Sequence, residues 1–188
     1  VYFPRLILPG SSMVVNLIRD RFNFYHVGIF LLDERGEFAI LKSAAGEAGP
    51  EMMERGYRIK VGESDLIGSA IATAKPRLAY KREEEPTSTS NPLLPDSLAE
   101  AVLPMRIGER VTGVLDLHST QDGDFELDTV EVLQIMVDQL AVAVENMHLL
   151  DEMQETVRKL ETAYGQYTEG TWKSFVQRTR QLRGMRYR

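Results

Sequence analysis

Apolar positions along this chain follow first a helical period, then a strand-like one, then a helical one again. In residues 13–22, Val14, Val15, Leu17, Ile18 and Phe22 fall on one helical face, with Asn16, Arg19, Asp20 and Arg21 elsewhere. A short amphipathic helix is expected there. Two apolar runs follow, over residues 25–33 and from Phe38 onward, split by Glu34, Arg35, Gly36 and Glu37. A tight polar turn between two such runs reads as a β-hairpin. "GEAGPEMMERG" is a loop or one helical turn, and "YRIKV" alternates as a short strand. In "GESDLIGSAIATAKP", Ser64 or Asp65 can cap a helix of small residues that Pro76 ends.

"RLAY" reads as another short strand. The polar, proline-containing stretch "KREEEPTSTSNPLLPD" is long enough for a lid over a site rather than a plain connector. "LAEAVLPMRIGERVTGVLDLHS" reads as a second hairpin turning at Gly108, Glu109 and Arg110. A helix is then expected from near Glu126, with Val130, Leu133, Ile135, Met136, Val137, Leu140, Ala141, Val144 and Met147 on a broad apolar face. Further on, Leu150, Met153, Val157, Leu160, Tyr164 and Tyr167 repeat at spacings of three and four, the seam of a coiled coil. Gly165 and Gly170 weaken a helix by about 1 kcal/mol each, so weakening is expected beyond that point.

Composition narrows the chemistry. The 188 residues contain no cysteine, which removes disulfides, thiolate metal sites and thiol nucleophiles. No apolar run approaches the roughly 18 residues that span a bilayer, so no membrane insertion is expected and a cytoplasmic location fits. The net charge of −6 disfavours polyanions, and no specific nucleic-acid binding is expected. Residues 172–188 depart from this, with Lys173, Arg178, Arg180, Arg183, Arg186, Arg188 and no acid. With Trp172, Phe175 and Tyr187 they read as a linker helix with a basic tail, although the same mix suits an anionic surface. The three histidines show no metal-ligand spacing, and no metal is assigned.

The blocks "FNFYHVGIFLLDERGEFAIL", "VGESDLIGSAIATAKPRLAY", "NPLLPDSLAEAVLPMRIGERVTGVLDLHST" and "FELDTVEVLQIMVDQLAVAVEN" resemble, in order, those of a GAF domain. The likeness is to GAF modules of multidomain bacterial sensors, notably histidine kinases of two-component systems, over residues 13–148. It implies an α+β fold with a central antiparallel sheet, helices on one face, a small-molecule pocket on the other and a long C-terminal helix. It also implies homodimerisation through the terminal helices. Residues 1–12 then stand as an N-terminal extension or an expression remnant, and residues 149–188 as a coiled-coil linker. Members of the family that attach a bilin or reduce methionine sulfoxide use cysteines, which this chain lacks. The Asn-Lys pair of the cyclic-nucleotide subgroup is absent from "STQDGDFELD".

Within this frame the candidate ligand-binding residues are Asp116, His118, Glu100, Tyr80 and Ser97. Asp116 interrupts an apolar strand and by alternation shares a face with Thr112, Val114 and His118. Either it pairs with a nearby basic group or it contacts ligand, because a half-buried carboxylate needs a partner. His118 sits where GAF photoreceptors place a pocket histidine, or else decorates the strand end. Glu100 either faces Asp116 across the hairpin or points to solvent. Tyr80 either closes a pocket rim with its hydroxyl or packs. Ser97, Asp96 and Asn91 either touch ligand or make turn hydrogen bonds around two prolines. His26 and His148 read as structural.

The expected function is a ligand-binding regulatory module with no resident cofactor and an unassigned small-molecule ligand. Two alternatives stand: a dimerisation module with a vestigial pocket, and a noncovalent haem or bilin sensor. With neither a nucleophile–base pair nor a cofactor fingerprint in the sequence, no enzymatic activity is expected.

Overall fold

A computed structural model describes residues 11–62, 65–81 and 91–184, with side chains as far as residue 164 apart from those of 148, 151 and 163. Helix α1 (Ser11–Phe22) leads into the hairpin of β1 (His26–Leu32) and β2 (Phe38–Ala45). Then come α2 (Gly49–Glu54), β3 (Arg58–Lys60), α3 (Leu66–Thr73) and β4 (Arg77–Tyr80). A second hairpin, β5 (Ala99–Ile107) and β6 (Arg110–Ser119), precedes α4 (Leu127–Gly184). The described strands form one antiparallel sheet in the order β3-β2-β1-β6-β5-β4. The expected α+β architecture is the observed one.

Local chemistry accounts for the boundaries. Asp65 caps α3 by accepting a hydrogen bond from the Gly68 amide at 2.6 Å, and Ala74 closes that helix in the left-handed region before Pro76. The β5–β6 turn needs only Gly108 and Glu109, with Gly108 at φ +61°, a conformation glycine enters at no steric cost.

Strand register separates the two faces of the sheet. His26, Gly28 and Phe30 lie directly across from His118, Asp116 and Val114, while Glu100 and Val102 lie across from His118 and Asp116. All eight therefore share one face. On it Phe30, Leu41, Val102 and Val114 pack with Met52 of α2 and with Ile67 and Ala70 of α3. Two short helices thus fill much of this face. The opposite face carries Val27, Ile29, Ala101, Leu103, Met105, Leu115 and Leu117, all buried.

Helix α4 buries Val130, Leu133, Val137, Ala141 and Val144, spaced three and four apart as one stripe. It is fastened to β5 by polar contacts too. The Gln134 side-chain amide donates to the Pro104 carbonyl at 2.8 Å, and Arg106 grips Asp138 with two parallel hydrogen bonds, one of 3.0 Å. The helix runs on through Gly165 and Gly170 to Gly184, past the weakening expected at the glycines. One glycine per turn or less costs about 1 kcal/mol, which a long helix of otherwise good formers absorbs.

The chain forms two compact units, Val1–Glu145 and Asn146–Arg188. Among the described residues no helix is long and apolar enough to cross a membrane. Most of the stretch expected to act as a lid, residues 82–90, lies outside the described residues, as do the first ten residues and the side chains of the basic tail.

The α4 stripe makes a direct prediction. Leu133→Ala, at 1% exposure, should destabilise the protein by about 2–5 kcal/mol in urea unfolding. Val132→Ala, at 55% exposure, should stay within about 0.5 kcal/mol of wild type. Equal effects would mean that α4 presents a different face to the sheet.

Candidate ligand-binding site

Strand β6 is buried from Gly113 through Ser119, and Asp116 lies in the middle of that run at 4% exposure. A carboxylate so placed needs partners, since an unpaired buried charge is costly. Its Oδ2 stands 3.1 Å from Nε2 of His118, two residues along the same face. The other ring nitrogen of His118, Nδ1, lies 2.8 Å from the Ser97 hydroxyl, which also reaches the Ala99 carbonyl at 3.3 Å. Glu100, half-buried, sits across the ladder from His118 on the same face. Glu100, Asp116 and His118 each offer one donor atom, and those three atoms lie within 4.8 Å of one another.

A fourth group joins them. His26 is fully buried directly across β1 from His118, with the ring centroids 5.8 Å apart and edge to face. Neither of its ring nitrogens has a hydrogen-bond partner among the described residues, and neither does Oδ1 of Asp116. Gly28 lies opposite Asp116, where a side chain would crowd this group. A Cβ there would lie 3.5 Å from Nε2 of His26 and 3.2 Å from the Phe30 ring.

Electrostatics divides the cluster. Burial lowers the pKa of His26 to about 4 against the pull of Asp116, so its imidazole is neutral. Burial and then the Asp116 charge push the Glu100 carboxyl up to about 8. Burial also works against protonation of His118, but the charge and hydrogen bond of Asp116, aided by Glu100, outweigh it and raise its pKa.

The cluster opens on a cavity of about 40 Å³ lined by Lys81, Asn91, Leu94, Ser97, Glu100 and His118, among others. A single water needs about 10–15 Å³ on this measure, so the space holds a few atoms. Tyr80 borders the cavity, but its hydroxyl donates to the Phe125 carbonyl at 3.0 Å. Asn91 makes a turn, its side chain accepting from the Leu93 amide at 3.0 Å. The structure thus brings Asp116, His118, Glu100 and Ser97 together, and turns the Tyr80 hydroxyl aside. His26 is the residue that the sequence reading set apart as structural. Alternation along β1 (His26, Gly28, Phe30) carries the signal, but only once β1 is known to lie beside β6.

Hydroxyl, imidazole and carboxylate in a line form a nucleophile–base–orienting-acid order, here with the hydroxyl on Nδ1 and the carboxylate on Nε2. Such an arrangement relays protons. It also removes the ground on which enzymatic activity was not expected, since Ser97 and His118 stand 21 positions apart and meet only in the fold.

A family model described as GAF domain matches residues 11–145. Comparison with curated proteins gave no match. Among solved structures, the GAF domain of a phosphoenolpyruvate-protein phosphotransferase from Coxiella burnetii aligns with a TM-score of 0.66 at 17% identity, covering 80% of this chain and 88% of that one. The second GAF domain of DevS from Mycobacterium smegmatis aligns with a TM-score of 0.59 at 21% identity, covering 76% and 95%. A type II free methionine-R-sulfoxide reductase from Thermoplasma acidophilum aligns with a TM-score of 0.61 at 19% identity, covering 73% and 91%. The last likeness corrects the expectation of no enzymatic activity: the same fold houses an enzyme, and fold does not fix chemistry.

The shifted groups set a pH dependence. The folded chain holds the Glu100 proton up to about pH 8, whereas an unfolded glutamate releases it near 4.5. The stabilisation from this proton is full below about pH 4.5 and is lost as pH rises through about 8, and the raised His118 acts in the same sense. The lowered pKa of His26 acts in the opposite sense up to about pH 6.5, so chelator-treated protein should lose stability between about pH 6.5 and pH 9 in urea unfolding, with a shallower decline in Glu100→Gln. Parallel profiles would place the Glu100 carboxyl in water.

Proposed function

The chain belongs to the GAF domain family, and from that premise we propose that it is a sensory module of bacterial signal transduction. In this reading a small ligand binds at Asp116, His118, Glu100 and Ser97, and its occupancy biases the setting of α4. The module works in the cytoplasm within a larger sensor of the two-component, histidine-kinase type. The carrying observation is the buried polar cluster itself. Oδ1 of Asp116 and both ring nitrogens of His26 are buried without a partner among the described residues, beside a cavity lined by Glu100, His118 and Ser97, while β5 is tied to α4 through Pro104 and Arg106. Buried polar atoms are nearly always satisfied, and a ligand with hydrogen-bond donors satisfies Asp116.

Native mass spectrometry of protein from its own host is the first test, with a bound mass expected. Asp116→Asn keeps the shape and removes the charge, so affinity for that ligand should fall by about 1–3 kcal/mol while stability stays near wild type. Unchanged affinity would remove Asp116 from the ligand's contacts. A loss of stability alone would make it a structural acid.

Signal output through the helices requires a second copy. Leu150, Met153, Val157 and Leu160 are exposed on the single chain at coiled-coil spacing, which supports a parallel homodimer with these residues at its seam. Two heptads are marginal alone, so α1 and the first part of α4 contribute further apolar area through Met13, Leu17, Ile135 and Met136. Val157→Glu with Leu160→Glu should give a folded monomer by light scattering and circular dichroism. A persistent dimer would put the interface elsewhere.

A further inference from the structure

The polar cluster combines two carboxylates and two imidazoles around a space of a few atoms. Resting on the sensory reading, we infer that Glu100, Asp116 and His118 bind one first-row divalent transition-metal ion, with His26 facing them as a further donor.

Four independent features of the fold support this. The donor atoms of Glu100, Asp116 and His118 already lie within 4.8 Å of one another. Around a tetrahedral ion with bonds of about 2.0–2.2 Å, donors stand roughly 3.4 Å apart, so side-chain rotation closes the difference. Second, Oδ1 of Asp116 and both nitrogens of His26 are buried without a hydrogen-bond partner among the described residues, and His26 shares the sheet face of Asp116 and His118 from the neighbouring strand.

The third feature is the Ser97 hydroxyl. It has one proton, and the Ala99 carbonyl at 3.3 Å can take it. With Nδ1–H donated to Ser97 at 2.8 Å, the imidazolium meets Asp116 through a proton on Nε2, and a divalent ion can take that proton's place. A lone pair facing a carboxylate is repulsive unless a proton or a cation lies between. Metal-bound histidines ordinarily donate the far N–H to a carboxylate, backbone carbonyl or water, and the Ser97 hydroxyl takes that place here. The fourth is size and charge. A cavity of about 40 Å³ beside Glu100 and His118 leaves room for one or two waters on an ion, and two carboxylates balance a divalent charge.

The donor set also chooses the metal class. Imidazole with carboxylate suits zinc, iron(II), cobalt(II), nickel and manganese. Calcium and magnesium prefer all-oxygen sites with more ligands, and a soft thiolate site is out of reach without cysteine.

Cobalt(II) is the probe of choice, because its visible bands report coordination directly. The full chain, stripped with chelator and dialysed, should develop visible absorption that saturates at one cobalt per chain, with zinc displacing it. Asp116→Asn and His118→Gln should each weaken binding at least tenfold, and Glu155→Gln, on the exposed surface of α4, should leave it unchanged. If either site variant unfolds, Ser97→Ala answers the same question. It keeps every donor and should weaken binding several-fold by freeing the His118 ring. No saturable absorption, or saturation unaltered in the site variants, overturns the metal assignment. A host-derived organic ligand on metal-free protein would overturn the metal while leaving the sensory reading standing. Stoichiometric cobalt that leaves hydrogen exchange along α4 unchanged would do the reverse.

Discussion

Asp116 is a carboxylate set among seven consecutive buried residues of the strand at the heart of the sheet. An ionised group there faces a desolvation cost of several kcal/mol, met only by partners that also come out of water. Those partners recruit each other. His118 leans on Asp116, Ser97 orients His118, Glu100 gives up its charge beside them, and His26 stays neutral because burial disfavours its charged form. Gly28 follows from the same constraint, since a side chain there would press on Phe30, Leu41 and His26.

The same strands carry the link to the helix layer. Glu100 and Arg106 lie on β5 roughly 20 Å apart, one at the polar cluster and the other holding Asp138 of α4. Between them Val102 faces the α2–α3 side, while Leu103 and Met105 face the other. Close-packed interiors pass displacement on rather than absorb it. A shift of β5 at Glu100 therefore has few places to go except along the strand and across it, and the Gln134 and Arg106 contacts tie α4 to that motion.

Period and punctuation made the elements legible in the sequence. Residues 77–80 and the Gly108 turn needed nothing beyond local chemistry, and alternation along β6 set Asp116 and His118 on one face. Register was not legible. His26 joins the cluster only because β1 lies beside β6 with His26 opposite His118, a pairing between residues 92 positions apart. Ser97 appeared as a turn former because its partner, His118, is brought near by the hairpin and not by spacing. Helix α4 outran the expected weakening for a related reason: a glycine's cost is local, while a helix's persistence is a sum over many residues.

The likeness to a sulfoxide reductase sharpens what this chain's own side chains add. A fold supplies a sheet, a cavity and a route to a helix; reactivity comes from the groups aimed into the cavity. These 188 residues hold no sulfur nucleophile, so thiol chemistry is outside their reach. In its place the cavity wall carries His118, Glu100 and Ser97, with Asp116 hydrogen-bonded behind His118, a set suited to moving protons or holding a hard-to-borderline cation. Either use draws on one feature. The acid at the centre of β6 is too buried to be left alone, and whatever neutralises it sets what the pocket does.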